Sequence, residues 1–255
     1  MNLLARKLEN FAALSDDDRR LLDDVTRTVR EVEARRDLIE EGDRPDDVHL
    51  IVEGFACRYK ITADGKRQIM AYLVPGDFCD LHVFILKEMD HAIGTLSPCR
   101  VVEIPRERID AMTERPALAR ALWWATLVDE AILREWLVNI GTRDAAQAMA
   151  HLFCELLLRL RAVGLADGGG YELPITQAEL GDTLGLSTVH VNRSLQALRH
   201  EGLITLEGRH LRILDPERLF AFSGFHPNYL HLQGGRNNGR ESEARSRKLR
   251  QPQPH

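Results

Sequence analysis

The chain has 255 residues, 44% of them apolar and 29% charged, and its 34 Lys/Arg against 39 Asp/Glu give a net charge of −5. That composition can bury a core without disulfides and argues against a generally basic nucleic-acid binder. With no run of about 18 apolar residues and no signal-peptide core at the N-terminus, a cytoplasmic protein with no membrane partner is expected.

Charge is uneven along the chain. From Ser187 onward there are 11 Lys/Arg and 6 Asp/Glu, a balance of +5, which leaves −10 for the preceding residues. A polyanion partner is therefore expected at the C-terminal end, although the last 20 residues carry 6 of those basic side chains. The four cysteines, at 57, 79, 99 and 154, fit no zinc or iron–sulfur spacing and are read as reduced thiols.

In chain order, Ser15 precedes Asp16-Asp17-Asp18, an N-cap with an acidic first turn, and Leu21, Leu22 and Val25 supply an apolar face. This predicts a helix over 11–25. From Val29 to Ile104 the pattern is one of short apolar stretches: Asp47–Val52, Phe55–Ile61, Ile69–Val74, Ile93–Leu96 and Val101–Ile104. Gly42, Gly54, Gly65 and Gly76 punctuate them at intervals of 12, 11 and 11. Regular short strands between turn residues predict an all-β unit. Asp64-Gly65 is a hairpin signal, and Pro75-Gly76-Asp77 is a second sharp turn.

Residues 117–140 carry the longest helical pattern, with two apolar stripes. One runs Leu118, Leu122, Ala125, Asp129, Ile132, Trp136 and Asn139. The other runs Ala121, Trp124, Val128, Ala131 and Val138. A helix apolar on two faces is covered on two sides. One cover is the β unit. The other is expected to be the same helix of a second copy, with Leu118, Leu122, Ala125, Asp129, Ile132 and Trp136 as the seam of a homodimer. A new helix starts near Arg143 and runs to Arg161, and Gly168-Gly169-Gly170 is read as a plain linker.

Thr176 with Glu179 three residues on is a capping box, and Ala178, Leu180 and Leu184 form the apolar face of the helix it starts. Gly185 ends that helix. Ser187 or Thr188 caps the next, whose inner face is Val191, Leu195 and Leu198 and whose end is Gly202. Two short helices around a glycine-containing turn make a helix-turn-helix. The second helix turns Thr188, Val189, His190, Asn192, Arg193 and Gln196 outward. Such groups suit a major groove: Arg for guanine, Asn for adenine, a methyl-bearing group for thymine. Two strand-like stretches then flank Gly208, placing Arg209 and His210 at the tip of a wing within reach of phosphates.

In this order, and with Pro75-Gly76-Asp77-Phe78, Thr176-x-x-Glu179-Leu180-Gly181, Gly185-x-Ser187 and Val191-x-Arg193, the sequence resembles the CRP/FNR superfamily of bacterial transcription regulators over about residues 10–222. The resemblance implies an α+β fold: an N-terminal antiparallel β-roll of the cyclic-nucleotide-binding kind, a long dimerisation helix and a C-terminal winged helix-turn-helix. The expected domains are a sensor domain with its N-terminal helix at 1–114, the dimerisation helix and hinge at 115–143, the DNA-binding domain at 144–224, and a mostly disordered tail at 225–255. Contacts to double-stranded DNA are expected from Thr176, Gln177, Ser187, Thr188, Val189, His190, Asn192, Arg193, Gln196, Arg209 and His210. RNA polymerase is the further partner implied.

The departures from the family are as informative. Its cyclic-AMP pocket has Gly-Glu shortly after the Pro-Gly-Asp-Phe turn and Arg-Ser before the next strand. Here Asp80-Leu81 and Met89-Asp90 stand at those places. With Phe78, these residues make up the implied effector pocket, and no cation is left there to meet a cyclic phosphate. Cyclic AMP and cyclic GMP are therefore not expected to bind. No cysteine precedes Cys57, so the N-terminal iron–sulfur cluster of the oxygen-sensing branch is not expected either. No cofactor or metal is called for and the effector is unknown. Haem stays open because one His suffices, although His82 and His91 read as ordinary loop histidines. A redox role for Cys79 finds no nearby group that lowers its pKa. With no G-x-S-x-G, H-E-x-x-H or Walker motif, an enzyme is not expected. The alternative reading is a cyclic-nucleotide or other small-ligand sensor or scaffold without specific DNA binding.

Overall fold

The computed structural model describes residues 2–232. Two helices, α1 (Leu3–Leu8) and α2 (Asp16–Val25), lead into strands β1 (Arg30–Val32), β2 (Asp37–Ile39), β3 (Asp47–Glu53), β4 (Ala56–Ile61) and β5 (Arg67–Leu73). The short α3 (Val83–Leu86) precedes β6 (Ala92–Thr95) and β7 (Cys99–Pro105). Then come α4 (Arg106–Thr113), the 27-residue α5 (Pro116–Thr142) and α6 (Ala145–Val163). The C-terminal elements are β8 (Gly170–Glu172), α7 (Gln177–Leu184), α8 (Thr188–His200), β9 (Ile204–Glu207), β10 (His210–Ile213), α9 (Pro216–Ser223) and a 3₁₀ turn at Pro227–Leu230.

The β unit is two antiparallel sheets, ordered β2-β6-β4-β5 and β1-β7-β3. Apolar side chains from both meet between them, among them Ile39, Leu50, Leu73, Ile93 and Val101, and α1, α2 and α4 close the same core. The strands read from apolar stretches fall where the pattern puts them. At Asp64-Gly65 the hairpin closes through Thr62 N–H to the Lys66 carbonyl at 2.8 Å. Gly54 does more than turn the chain. A Cβ there would lie 2.2 Å from the Pro98 carbonyl oxygen, and φ is +85°, so only glycine fits. Ser15 caps α2 as expected, and Asp18 makes the cap reciprocal by accepting from the Ser15 N–H.

A second core joins the lower half of α5, all of α6 and the C-terminal elements to Phe55, Cys57, Ile69 and Tyr72 of the β unit. The expected tail boundary at 225 is corrected by this core. Phe225, Tyr229 and Leu230 are buried in it, and the Tyr229 hydroxyl donates to Glu155 Oε2 at 2.9 Å. Three apolar side chains are enough to hold the turn against α5 and α6. The tail from residue 233 onward lies outside the described residues. The glycine run read as a linker is instead the turn into β8, which pairs with β10. A three-residue strand is too short to show alternation.

The predicted dimer seam is also corrected. Leu118, Leu122, Ile132 and Trp136 are buried against the chain's own domains, Asp129 reaches inward to Arg58, and Ala125 lines a cavity. The apolar face left uncovered is rotated by one residue, about 100°. It carries Trp123 (73% exposed), Leu127, Leu133, Leu137 (74%) and Ile140. The second stripe faces inward too, since Ala121, Val128 and Ala131 are buried, so the uncovered face is a third one that the sequence reading did not single out.

The four cysteines are free and buried. Burial pushes the thiols of Cys57 and Cys154 up to about 12, Cys99 up to about 11, and Cys79 well above the ordinary thiol range. A redox role for Cys79 has no physical support here. No helix among the described residues is long and apolar enough to cross a membrane.

Candidate nucleic-acid interface

The helix-turn-helix is fixed by its own local chemistry. Thr176 Oγ1 accepts from Glu179 N–H, and the Glu179 carboxylate accepts from Thr176 N–H at 2.7 Å. Gly185 ends α7 in the left-handed conformation, and Ser187 caps α8 by accepting from His190 N–H. Gly181 permits the tight turn, since a Cβ there would meet the Leu186 carbonyl oxygen at 2.5 Å. Val191, Leu195 and Leu198 of α8 and Leu180 and Leu184 of α7 are buried, as the sequence predicts. Ala178 is exposed, one step off the inner face, and Thr183 takes its place.

Every residue expected at the DNA is exposed: Thr176, Gln177, Ser187, Thr188, Val189, His190, Asn192, Arg193, Gln196, Arg209 and His210. They are not equally free. The side chains of Thr176 and Ser187 are engaged as caps, and Ser187 Oγ also lies 2.9 Å from His190 Nδ1. Asn192 Nδ2 lies 3.5 Å from Gln177 Oε1, too long to hold either side chain firmly. Thr188, Val189, Asn192, Arg193 and Gln196 occupy one outer face of α8, at offsets of 1, 4, 5 and 8 from Thr188. On the wing, β8-β10-β9, His210 Nδ1 is 3.0 Å from Glu172 Oε1, while Arg209 stands at the turn. His210 is therefore the weaker phosphate candidate, because a carboxylate already sits beside it.

Two arginines tie the β unit to the helices that follow it, Arg159 to α6 and Arg58 to α5, and the sequence gives little sign of either. Arg159 of α6 donates to Asp77 Oδ2 at 2.6 Å, to the Tyr72 carbonyl at 2.8 Å and to Glu155 Oε1 at 3.1 Å. Lys7 pairs with the same Asp77. Burial pushes the Asp77 carboxyl up, but Lys7 and Arg159 outweigh it and hold it down at about 2. The Pro-Gly-Asp turn is thus a clamp point for α6 as well as a turn. Farther along, α7 is tied to β5 by Arg67 to Asp182 at 2.8 Å and by Gln68 Nε2 to the Thr183 carbonyl at 3.1 Å.

The second arginine, Arg58 of β4, donates Nε to the Cys79 carbonyl at 2.8 Å and Nη2 to the Phe78 carbonyl at 3.1 Å, and it pairs with Asp129 of α5. It lines a cavity of about 90 Å³ with Phe78, Leu81, Trp124, Asp129 and Arg159. This corrects the pocket read from sequence. A cation is present, supplied by a strand rather than by the loop before β6. Phe78 and Leu81 line the cavity, but Asp80, Met89 and Asp90 do not. Asp80 is fully buried and holds His49, accepting from its backbone N–H at 2.7 Å. Met89 is packed in the core, and Asp90 is exposed beside His91. For scale, an engineered cavity of about 150 Å³ holds one benzene.

Residues 29–115 match the cyclic nucleotide-binding domain family, and residues 149–222 match the Crp-like helix-turn-helix domain family. The chain is 32% identical over 200 residues to the transcriptional activator protein FnrL of Cereibacter sphaeroides, covering 76% of this chain and 80% of that one. It is 29% identical over 185 residues to the nitrogen fixation regulation protein FixK of Bradyrhizobium diazoefficiens, covering 72% and 76%. Among solved structures, FixK2 from Bradyrhizobium japonicum superposes with a TM-score of 0.68 at 26% identity, over 76% of this chain and 96% of that one.

Proposed function

The chain belongs to the CRP/FNR superfamily of transcription regulators, and on that footing we propose that it works as a homodimer that reads a palindromic DNA site with two copies of α8. The observation that carries this reading is the outer face of α8. Thr188, Val189, Asn192, Arg193 and Gln196 stand exposed at the N-terminal half of a helix whose opposite face is buried and whose cap is satisfied. Two such helices would enter successive major grooves about 34–36 Å apart. Arg209 supplies a phosphate contact from the wing. The uncovered stripe of α5 supports the dimer. Activators among the relatives support activation through RNA polymerase as the sign of control. The domains proposed are 1–114, 115–143 and 144–232.

Arg193 is proposed to read a guanine. Arg193→Ala is expected to weaken binding to the selected site by roughly 1–3 kcal/mol and to relax one base pair per half-site. Selection from a random DNA pool, followed by binding titrations on specific and random duplexes, checks this. Equal loss on both would make Arg193 a phosphate contact.

Control by cyclic nucleotides is not proposed. Arg58 is spent on two carbonyls and Asp129, and the cavity is too small for a nucleotide unless α5 moves away. Calorimetry with cyclic AMP and cyclic GMP is expected to show no saturable heat at micromolar concentrations. Saturable heat matched by a gain in DNA affinity would overturn this.

A further inference from the structure

Beyond the clamp, the segment leading into α3 and the start of β6 bring three metal-ligating side chains together. One donor atom from each of His82, Asp90 and His91 lies within 4.8 Å of the others. The two rings are 5.5 Å apart, centre to centre. His91 is buried and His82 half-buried, and the Nε2 atoms of both are shut off from solvent with no hydrogen-bond partner. A buried nitrogen left unpaired costs free energy unless something occupies it. His91 Nδ1 lies 2.5 Å from Asp90 Oδ1. A proton shared there fixes the tautomer and leaves the lone pair on Nε2, the arrangement that carboxylates impose on metal-binding histidines. Burial lowers the pKa of both rings and so keeps them neutral.

We propose that His82 and His91, through their unpaired Nε2 atoms and with Asp90 as the carboxylate that orients His91, form a site for one divalent transition-metal ion per protomer. Two imidazoles suit zinc, cobalt or nickel and disfavour magnesium and calcium, which take oxygen ligands. Bonds of about 2.0–2.2 Å to such ligands require the donor atoms to close to roughly 3.3 Å. The half-exposed His82 has the freedom to make that shift. Arg58 acts on both rings, and the carboxylates of Asp80, Asp90 and Asp129 act on them in the opposite sense. Two protein ligands leave the remaining coordination positions to water or a small anion. His82 also lines the cavity that holds the Arg58–Asp129 pair. Metal uptake would therefore draw the α3 segment towards β6 next to the anchor of α5.

The test is made on the full chain stripped by chelator, without DNA, so it is independent of how α8 is read. Cobalt(II) titration followed by its visible absorption, with competition by zinc, is expected to show one equivalent per protomer. Affinity should fall at least about tenfold in His82→Gln, in His91→Gln and, to a lesser extent, in Asp90→Asn. Zinc should raise the thermal midpoint of the parent protein and not of the histidine variants. Circular dichroism checks that the variants fold, and His82→Gln, at the less buried position, carries the test if His91→Gln does not. A parent titration indistinguishable from that of the His82→Gln/His91→Gln double variant would overturn the site. So would a tight equivalent retained by the double variant.

Discussion

Leu127→Glu is expected to turn the protein into a monomer that still folds but no longer holds a palindrome. Leu127 lies on the uncovered face of α5 between Trp123 and the Glu130–Arg134 pair. In an isologous helix pair the same residue of both copies nears the two-fold axis. The substitution would place two like charges in an apolar seam with no partner. The cost is roughly 3–5 kcal/mol of association, about a hundredfold or more in the dissociation constant. Protomer stability should barely change, since an exposed substitution stays within about 0.5 kcal/mol. Ile132→Glu is the contrast: it buries a charge in the chain's own core and should unfold the protomer instead. Sedimentation equilibrium and urea melts on both variants separate the two effects. A Leu127→Glu protein that remains a dimer would move the seam to another face.

Arg159→Met is expected to loosen the attachment of α6 to the β unit and to shift acid unfolding upward in pH. Removing the guanidinium leaves Glu155, fully buried, with only the Trp136 indole and the Tyr229 hydroxyl as donors, and leaves Asp77 with Lys7 and a backbone N–H. Breaking a buried ion pair from one side costs roughly 3–5 kcal/mol, visible in a urea midpoint. The pH dependence has a definite sign. Asp77 is depressed in the folded state to about 2 from 3.8. Its charged form therefore stabilises the fold above about pH 4, and that contribution is lost as pH falls towards 2. The shift is equivalent to about 2 kcal/mol. With Arg159 gone the depression shrinks and the loss begins at higher pH. Glu155 works the other way, because burial raises its pKa and its charge costs stability as pH rises. The variant should therefore have a narrower window of stability. An unchanged acid midpoint would show that Lys7 alone holds Asp77.

These residues also mark where sequence reasoning succeeds and where it stops. The helix-turn-helix was legible because its determinants lie within a few residues of one another. Thr176 and Glu179 make one cap, Ser187 makes the next, and Gly185 makes the turn between them. The strands were legible where they have at least four residues, and not at the three-residue β1, β2 and β8. The clamp and the cavity were not legible. Arg58 and Asp129 are 71 residues apart, Arg159 and Asp77 are 82 apart, and no local pattern signals either pairing. Two stripes of α5 were visible and both turn largely inward, whereas the face left uncovered, Trp123, Leu127, Leu133, Leu137 and Ile140, was not singled out. The pocket was misplaced for a related reason. Aligning loops to a family motif put Asp80, Met89 and Asp90 at a ligand, whereas Asp80 is committed to His49 and Met89 to the core.

The four buried thiols give the molecule a built-in clock for its own opening. Cys99 lies on β7, Cys57 on β4 and Cys154 in the middle of α6, so together they sample both cores. An alkylating reagent in excess reaches each sulfur only when the surrounding structure opens. The rate at each position, read by mass spectrometry of peptides, then reports the free energy of that local opening with no label introduced. If α6 detaches from the β unit as one piece, Cys154 should become reactive while Cys99, buried in the core of the β unit, stays protected. The order in which the sulfurs are modified would thus record whether the two halves of the protein come apart before either one unfolds.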